Sequence, residues 1–174
     1  MTRDRDPAGR PRNARPRDAL GRPLSRAEAK AGGEAGQDRI PDDLVITGRD
    51  AAALADQLLH AGRPFHAHEV LEAAWKPAPP CERDLWQGLA QIAVGLTHAG
   101  RGNARGAVTL LRRGAQRVRS HQHQPGPTPA PEQDHPYGMD IPTVLAAADD
   151  LATRIEQNGL DDLSPAGLTP RLLA

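Results

Sequence analysis

The sequence has very few of the residues that build a large rigid core or a covalent framework. It holds one cysteine, one phenylalanine, one tyrosine and two tryptophans among 174 residues, whereas glycine and proline each occur 17 times. A single cysteine excludes an intramolecular disulfide and suits a reducing compartment. So few aromatic residues with so much glycine and proline predict an ordered part of about 120 residues with flexible ends.

Long apolar runs and an excess of charge of one sign are also absent. The longest uncharged stretch, 85–100, is too short and too rich in glutamine and glycine to span a bilayer. No apolar run follows the Arg-rich N-terminus, so it does not have the form of a secretory signal. The formal net charge is zero, which gives no global attraction to nucleic acid. These features predict a cytoplasmic protein with no membrane contact.

The pattern of apolar residues predicts the fold class. No segment alternates with the period of a strand and β-branched residues are sparse, whereas four segments repeat at helical spacing. We therefore expect an all-α fold, a compact bundle of about four to five helices. A disordered, Arg-, Pro- and Gly-rich basic arm is expected at 1–40, the bundle at 41–165 and a C-terminal tail at 166–174. The apolar patches of the tail are suited to packing back on the bundle.

The stretch LWQGLAQIAVGLTHAG, at 85–100, predicts a central helix that is buried on several sides because it has no charged residue. Gly88 and Gly95, seven residues apart, mark a flank where another backbone can come close. Inward-pointing neutral polar groups need hydrogen-bond partners, because an unpaired one costs a few kcal/mol. Such groups share the side of this helix that lies opposite its apolar stripe: Gln87, Gln91 and His98.

The preceding predicted helix, 64–76, has the residues best suited to chemistry. His68 and Glu72 lie one turn apart, with Glu69 and Trp75 beside them. A histidine beside a carboxylate can act as an oriented general base, and such groups on facing helices can also build a metal site. No nucleophile, phosphate loop or oxyanion element accompanies them, so the sequence identifies no reaction class.

Together the two helices predict a pocket for a small molecule or a divalent metal ion between 64–76 and 84–99. Imidazole and carboxylate ligands with amides nearby suit a harder or borderline divalent ion. The competing interpretation is a buried hydrogen-bonded network that only fixes helix register. The candidate metal ligands are His68, Glu72 and His98. The candidate ligand-binding residues are His68, Glu69, Glu72, Trp75, Gln87, Gln91, His98 and Asn103.

Arginine is concentrated in the arm and in a predicted helix at 104–120. Between Arg101 and Pro131 the chain has no acidic residue. The ordinary explanation is the solvated face of an amphipathic helix, and the alternative is a surface for phosphate or nucleic acid. Nucleic acid is the less favoured partner, because the arm has no aromatic residue to stack on a base.

Two further expectations concern contacts of the whole chain. The apolar tail, or an exposed apolar stripe on a helix, suits a structural or oligomeric interaction module. On this interpretation the protein forms a homo-oligomer. The basic arm is expected to lie across the acidic mouth of the pocket, with an arginine near Glu69 or Glu72. The second expectation follows from charge, because few other partners are available for these acids.

Three short motifs follow one another between residues 65 and about 118. They are His68-Glu69-x-Leu71-Glu72-x-x-Trp75, then Gln87-Gly88-Leu89-x-Gln91-x-Ala93 with His98, then Gly102-Asn103-x-x-Gly106-Ala107. In this combination the chain resembles the small all-helical bacterial proteins of the domain of unknown function 309 family. The resemblance implies a compact helical bundle in which the His/Glu/Trp motif faces the Gln-rich helix. It implies no activity, because the family is named for lacking an assigned one.

Overall fold

The computed structural model describes residues 17–25, 27, 40–41, 43–122, 135–161, 163 and 171–173, and within these ranges the chain is all-α, as predicted. Each helix packs against the next one along the chain. Short 3₁₀ turns, Pro80–Glu82 and Pro136–Gly138, precede the third and fifth helices. The α-helices are α1 (Gly48–His60), α2 (Pro64–Trp75), α3 (Arg83–Gly100), α4 (Ala104–Gln122) and α5 (Ile141–Asn158).

The helix boundaries follow from local sequence. Pro64 stands in the first turn of α2, where its missing N–H costs nothing. Asp140 caps α5, since its carboxylate accepts a hydrogen bond from the Thr143 backbone N–H at 3.1 Å. Gly159 closes the same helix with a φ of 74°, a conformation that favours glycine.

The core lies around α3, the predicted central helix. Its apolar stripe is buried, as expected for a charge-free segment: Leu85, Leu89, Ile92 and Leu96. Trp86 is also buried, although it lies at the edge of that stripe. Burying a large apolar side chain contributes about 1.5–3 kcal/mol, so α3 supplies much of the stability of the bundle.

Glycine allows α3 and α4 to approach each other closely, which confirms the prediction made for Gly88 and Gly95. A Cβ on Gly88 would lie 2.8 Å from the Gly114 carbonyl oxygen, and one on Gly95 would lie 2.9 Å from Cγ of Leu111. These distances are shorter than real Cβ atoms show, so side chains larger than hydrogen do not fit. The two backbones are therefore in direct contact along this flank.

Three of the arginines on α4 form ion pairs within the fold. Arg112 and Arg119 both approach Asp149 on α5, and Arg117 donates to Asp84 on α3 at 2.7 Å. These side chains are about a third or more exposed, so water screens each pair and its contribution to stability is small. Much of the charge expected to face phosphate is thus balanced by acids of the same chain.

Part of the predicted arm is packed on the bundle. The guanidinium groups of Arg17 and Arg101 lie 5.2 and 5.9 Å from the centroid of the Phe65 ring. Nε of Arg101 also donates to the Leu20 carbonyl oxygen at 2.8 Å. Gly21 lies against Phe65 so closely that a Cβ there would overlap the ring. The disorder predicted for most of the remaining arm concerns residues outside the described ranges.

The described part of the C-terminal tail packs back on the bundle, as predicted. The Asp56 carboxylate accepts hydrogen bonds from the backbone N–H groups of Leu172 and Leu173 at 2.7 and 3.3 Å. The Asp140 N–H donates to the Leu172 carbonyl oxygen at 2.8 Å, and the Leu172 side chain is buried. None of the helices in the described ranges has the length and apolar character that a bilayer crossing requires.

Candidate functional site

The predicted imidazole–carboxylate pair forms on α2. Nε2 of His68 lies 3.5 Å from one carboxylate oxygen of Glu72, and Nζ of Lys76 lies 3.3 Å from the other. Nδ1 of His68 is buried, and within the described ranges the one group that approaches it as a hydrogen-bond partner is the Phe65 backbone, in a geometry short of a regular hydrogen bond. The Phe65 ring lies beside the imidazole, with 6.0 Å between the ring centroids. The arm that covers Phe65 is therefore a close neighbour of this pair.

Burial lowers the pKa of His68 below its ordinary value of 6.5, and the Glu72 carboxylate opposes this shift only in part. The unfolded chain therefore binds a proton at this residue at higher pH than the folded chain does. Stability should fall as the pH drops through about 6.5 toward the lowered value, because the proton stabilises the unfolded state more. The free energy of unfolding can be measured in urea at about pH 7.5 and about pH 5.5. Its decrease between the two pH values should be smaller for His68→Gln than for wild type.

Gln116→Ala is the control for this measurement, because it changes an exposed residue on α4 and leaves every titratable group in place. It should keep the wild-type pH dependence. An equal loss of stability on acidification in wild type and His68→Gln would contradict a neutral, buried role for His68.

His98 and Asn103 come together at the junction of α3 and α4, and they do so as a helix cap. The Asn103 side-chain oxygen accepts from the Gly106 backbone N–H at 2.9 Å, and its amide nitrogen lies 2.8 Å from Nδ1 of His98. A Cβ on Gly106 would overlap both side chains. The third motif of the sequence is thus explained locally by the start of α4.

The other predicted site residues are only partly buried. Gln87, Gln91 and Trp75 are all half-buried, and the buried amide oxygen of Gln91 has no hydrogen-bond partner among the residues that the structure describes. Within the part of the chain that the structure describes, no three His, Cys, Asp or Glu side chains are grouped so as to hold a metal ion. The binding role predicted for the eight candidate residues stays a prediction.

A groove of about 640 Å³ runs along the acidic side of α2. Glu69, Glu72 and Lys76 of α2 line one wall, and residues 40, 41 and 43–45, among them the acid Asp43, supply the other wall. The rest of the lining is apolar: Ile40, Pro41, Leu44, Val45, Ala73 and Pro77. Two of the predicted site residues, both acids, therefore face a cavity, and their opposite wall precedes α1.

Sequence reasoning missed this second wall and also a second polar cluster. The Glu82 carboxylate accepts hydrogen bonds from Nε1 of Trp86 at 3.1 Å and from the Tyr137 hydroxyl at 2.7 Å. Burial, together with this bond to Glu82, raises the pKa of Tyr137 to about 12, so the hydroxyl remains a donor at neutral pH. The only signal in the sequence was the spacing of Glu82 and Trp86, one helical turn apart.

Comparison with known proteins finds similarity over part of the helical region. Uncharacterized protein YpuF of Bacillus subtilis (strain 168) is 46% identical over 54 residues, which are 30% of this chain and 31% of that protein. The chain thus matches about a third of the length of this curated relative. No solved structure matches the chain. Residues 53–110, from α1 into α4, match the family model described as Domain of unknown function (DUF309), as the sequence motifs predicted.

Proposed function

We propose that the protein binds a small organic cation, a primary amine with an apolar body, in the groove that α2 forms with residues 40, 41 and 43–45. The observation that supports this role is the combination of three acidic residues with an apolar lining in one open cavity. Among the residues that line the groove, Asp43, Glu69 and Glu72 are acidic and Lys76 is basic. An excess of negative charge in a concave site attracts cations and excludes anions.

The partners of Glu72 leave room for a ligand cation. The Lys76 ammonium is well exposed, at 61% of its side-chain surface, so its ion pair with Glu72 is weak and easily exchanged. A ligand ammonium that enters the groove can take the place of Lys76 on the same carboxylate oxygen. Hydrogen bonds from a charged donor to a carboxylate contribute about 1.5–3 kcal/mol each.

The apolar lining supports a ligand with a hydrocarbon portion. Val45, at the rim, is the one large apolar side chain in the described ranges that is strongly exposed, at 94%. Covering such a side chain with a ligand is favourable by up to about 1.5 kcal/mol. An inorganic cation would not cover this surface, whereas an alkylamine would.

The other predicted ligands have weaker support. A divalent metal ion would need several His, Asp or Glu ligands around one point, and the described residues provide no group of three. Phosphate or nucleic acid would need unpaired arginines, whereas Arg112, Arg117 and Arg119 are paired with acids of the fold. The groove therefore favours an organic cation over both alternatives.

Calorimetric titration of the full chain with n-hexylamine tests the proposal. Wild type should bind n-hexylamine and should bind n-hexanol, which has the same chain without the charge, at least about tenfold more weakly. Glu72→Gln and Glu69→Gln should each weaken n-hexylamine binding, because each removes one carboxylate of the groove. Asp150→Asn, at an exposed acid on α5, is the matched control and should bind as wild type does.

Two results would overturn the proposal. One is equal affinity for n-hexylamine and n-hexanol, which would show that charge plays no part. The other is unchanged n-hexylamine binding in the Glu69→Gln, Glu72→Gln double variant, which would place any bound amine elsewhere. Titration with magnesium and manganese chlorides in the same buffer distinguishes the metal alternative.

A further inference from the structure

A second cavity, of about 190 Å³, lies at the start of α3. Glu82, Trp86 and Tyr137 form its polar and aromatic side. Its remaining lining comes from small or apolar residues: Ile46, Gly48, Ala74, Pro77, Ala78 and Pro79. A volume of this size exceeds that of a few water molecules and admits a small charged group, such as an ammonium with its first methylenes.

The Glu82 carboxylate is the charged group of this cavity. Both of its described hydrogen bonds, from Trp86 and Tyr137, end on the same oxygen, Oε2. Among the described residues, Oε1 accepts no hydrogen bond and the carboxylate has no cationic partner. Arg83, the nearest arginine in sequence, donates instead to the Ala78 carbonyl oxygen at 3.2 Å. A carboxylate with two fixed donors on one oxygen is held in orientation for a cation on the other.

Tyr137 is held in this position by an unusual backbone conformation. Its φ is 58°, which non-glycine residues rarely adopt, and it is the only described non-glycine residue with a positive φ. The ring packs against Trp86, with 5.3 Å between centroids, and against Gly48, where a Cβ would lie 2.5 Å from the ring. The absence of a side chain at Gly48 therefore makes room for Tyr137. Aromatic rings beside a carboxylate also favour a bound cation.

We propose that this cavity is an ammonium subsite, in which Oε1 of Glu82 receives a primary ammonium group beside the rings of Trp86 and Tyr137. Pro77 lines both the cavity and the groove, so the two are neighbours in the fold. We extend the proposal to a ligand with an ammonium group at each end of an apolar chain, one end at Glu82 and the other at the groove acids. Resting on the proposed function, this inference narrows the ligand class from amines to alkyl diamines.

The test compares diamines with monoamines on the full chain. Hexamethylenediamine should bind at least about tenfold more tightly than n-hexylamine, whereas ethylenediamine, too short to reach from one site to the other, should show no such gain. Glu82→Gln keeps an oxygen for Trp86 and Tyr137, and it should reduce the diamine gain to within about twofold while leaving n-hexylamine binding unchanged. Far-ultraviolet circular dichroism confirms that this variant is folded.

The Nε1–H resonance of Trp86 gives a readout that does not depend on a variant. Hexamethylenediamine should shift this resonance, and the Trp75 resonance serves as the internal reference. A diamine gain that persists in Glu82→Gln, or a Trp86 resonance that does not move, would overturn the subsite while n-hexylamine binding still supports the groove. Methylammonium could shift the Trp86 resonance while n-hexylamine shows no binding that depends on Glu69 or Glu72. That result would retain the subsite as an ammonium site, but it would reject both the groove and the diamine class.

Discussion

Replacing Gly114 with alanine should lower the free energy of unfolding by about 2 kcal/mol or more. The new Cβ would lie 2.6 Å from the Gly88 carbonyl oxygen and 2.9 Å from the Ile92 backbone nitrogen. Both are backbone atoms, so no side-chain rotation relieves the overlap and the two helices must separate. Alanine would otherwise stabilise a helix by about 1 kcal/mol relative to glycine, so the sign of the effect is informative.

Chemical denaturation followed by circular dichroism measures this change. Gln116→Ala, at an exposed position on the same helix, is the matched control and should stay within about 0.5 kcal/mol of wild type. A Gly114→Ala protein more stable than wild type would contradict the direct backbone contact between α3 and α4. Separating α3 from α4 should also disturb the cavity beside Glu82, because the packing of these two helices fixes the position of Trp86 on α3.

Replacing Gly21 with valine should release the docked segment of the arm and leave the bundle folded. Gly21 has a φ of 75°, and its Cβ position overlaps the Phe65 ring, so valine meets both backbone strain and a steric clash. Amide hydrogen exchange should speed up at least about tenfold at the backbone N–H groups of Asp18 and Gly21, which are bonded within this turn. Exchange around His68 should also change, since Phe65 lies between the arm and the imidazole.

Gly159→Val separates strain from clash. Gly159 has a φ of 74°, yet nothing lies within 4 Å of its Cβ position, so the backbone penalty is matched without the overlap. This control should leave exchange in the arm unchanged. Wild-type exchange rates at Asp18 and Gly21 in the Gly21→Val protein would show that the segment does not depend on its contact with Phe65.

Helix positions and the close approach of α3 to α4 could be predicted, because both depend on the spacing of residues that are close together in sequence. Apolar side chains at helical intervals define a stripe, and glycines seven residues apart lie on one flank of the same helix. The predicted stretch 85–100 and the observed α3 differ by only two residues at the start. The similarity to this family was also predictable, since all three motifs lie within the matched residues 53–110.

The neighbours of the predicted site could not be obtained in the same way. Helical spacing gives the angle of Glu69 and Glu72 around α2, but not which segment of the chain lies opposite that face. Residues 40, 41 and 43–45, which form the other wall, have no periodicity and lie before the first helix. The partner of His98 could not be predicted either. Its position on the polar side of α3 did not reveal that it contacts Asn103, the residue just before α4.

The Glu82 cluster depends on a contact between residues 55 positions apart in sequence. Tyr137 reaches Glu82 only through a left-handed backbone conformation, which local propensity disfavours for a side chain of that size. Nothing in the sequence around Tyr137 indicates this conformation, and the small size of Gly48 gains its meaning only from the ring beside it. Such sites are found by structure, because surrounding contacts rather than local preference determine them.

The proposed binding of an organic cation beside α2 is tested most directly by locating the cation on the protein. Leu44 and Ala73 both line the groove, and their ¹³C-labelled methyl groups can be observed with bound n-hexylamine. Nuclear Overhauser effects between the amine methylenes and both methyl groups, lost in the Glu69→Gln, Glu72→Gln double variant, are the predicted result. Overhauser effects to methyl groups elsewhere in the bundle, with none to Leu44 or Ala73, would contradict the proposal.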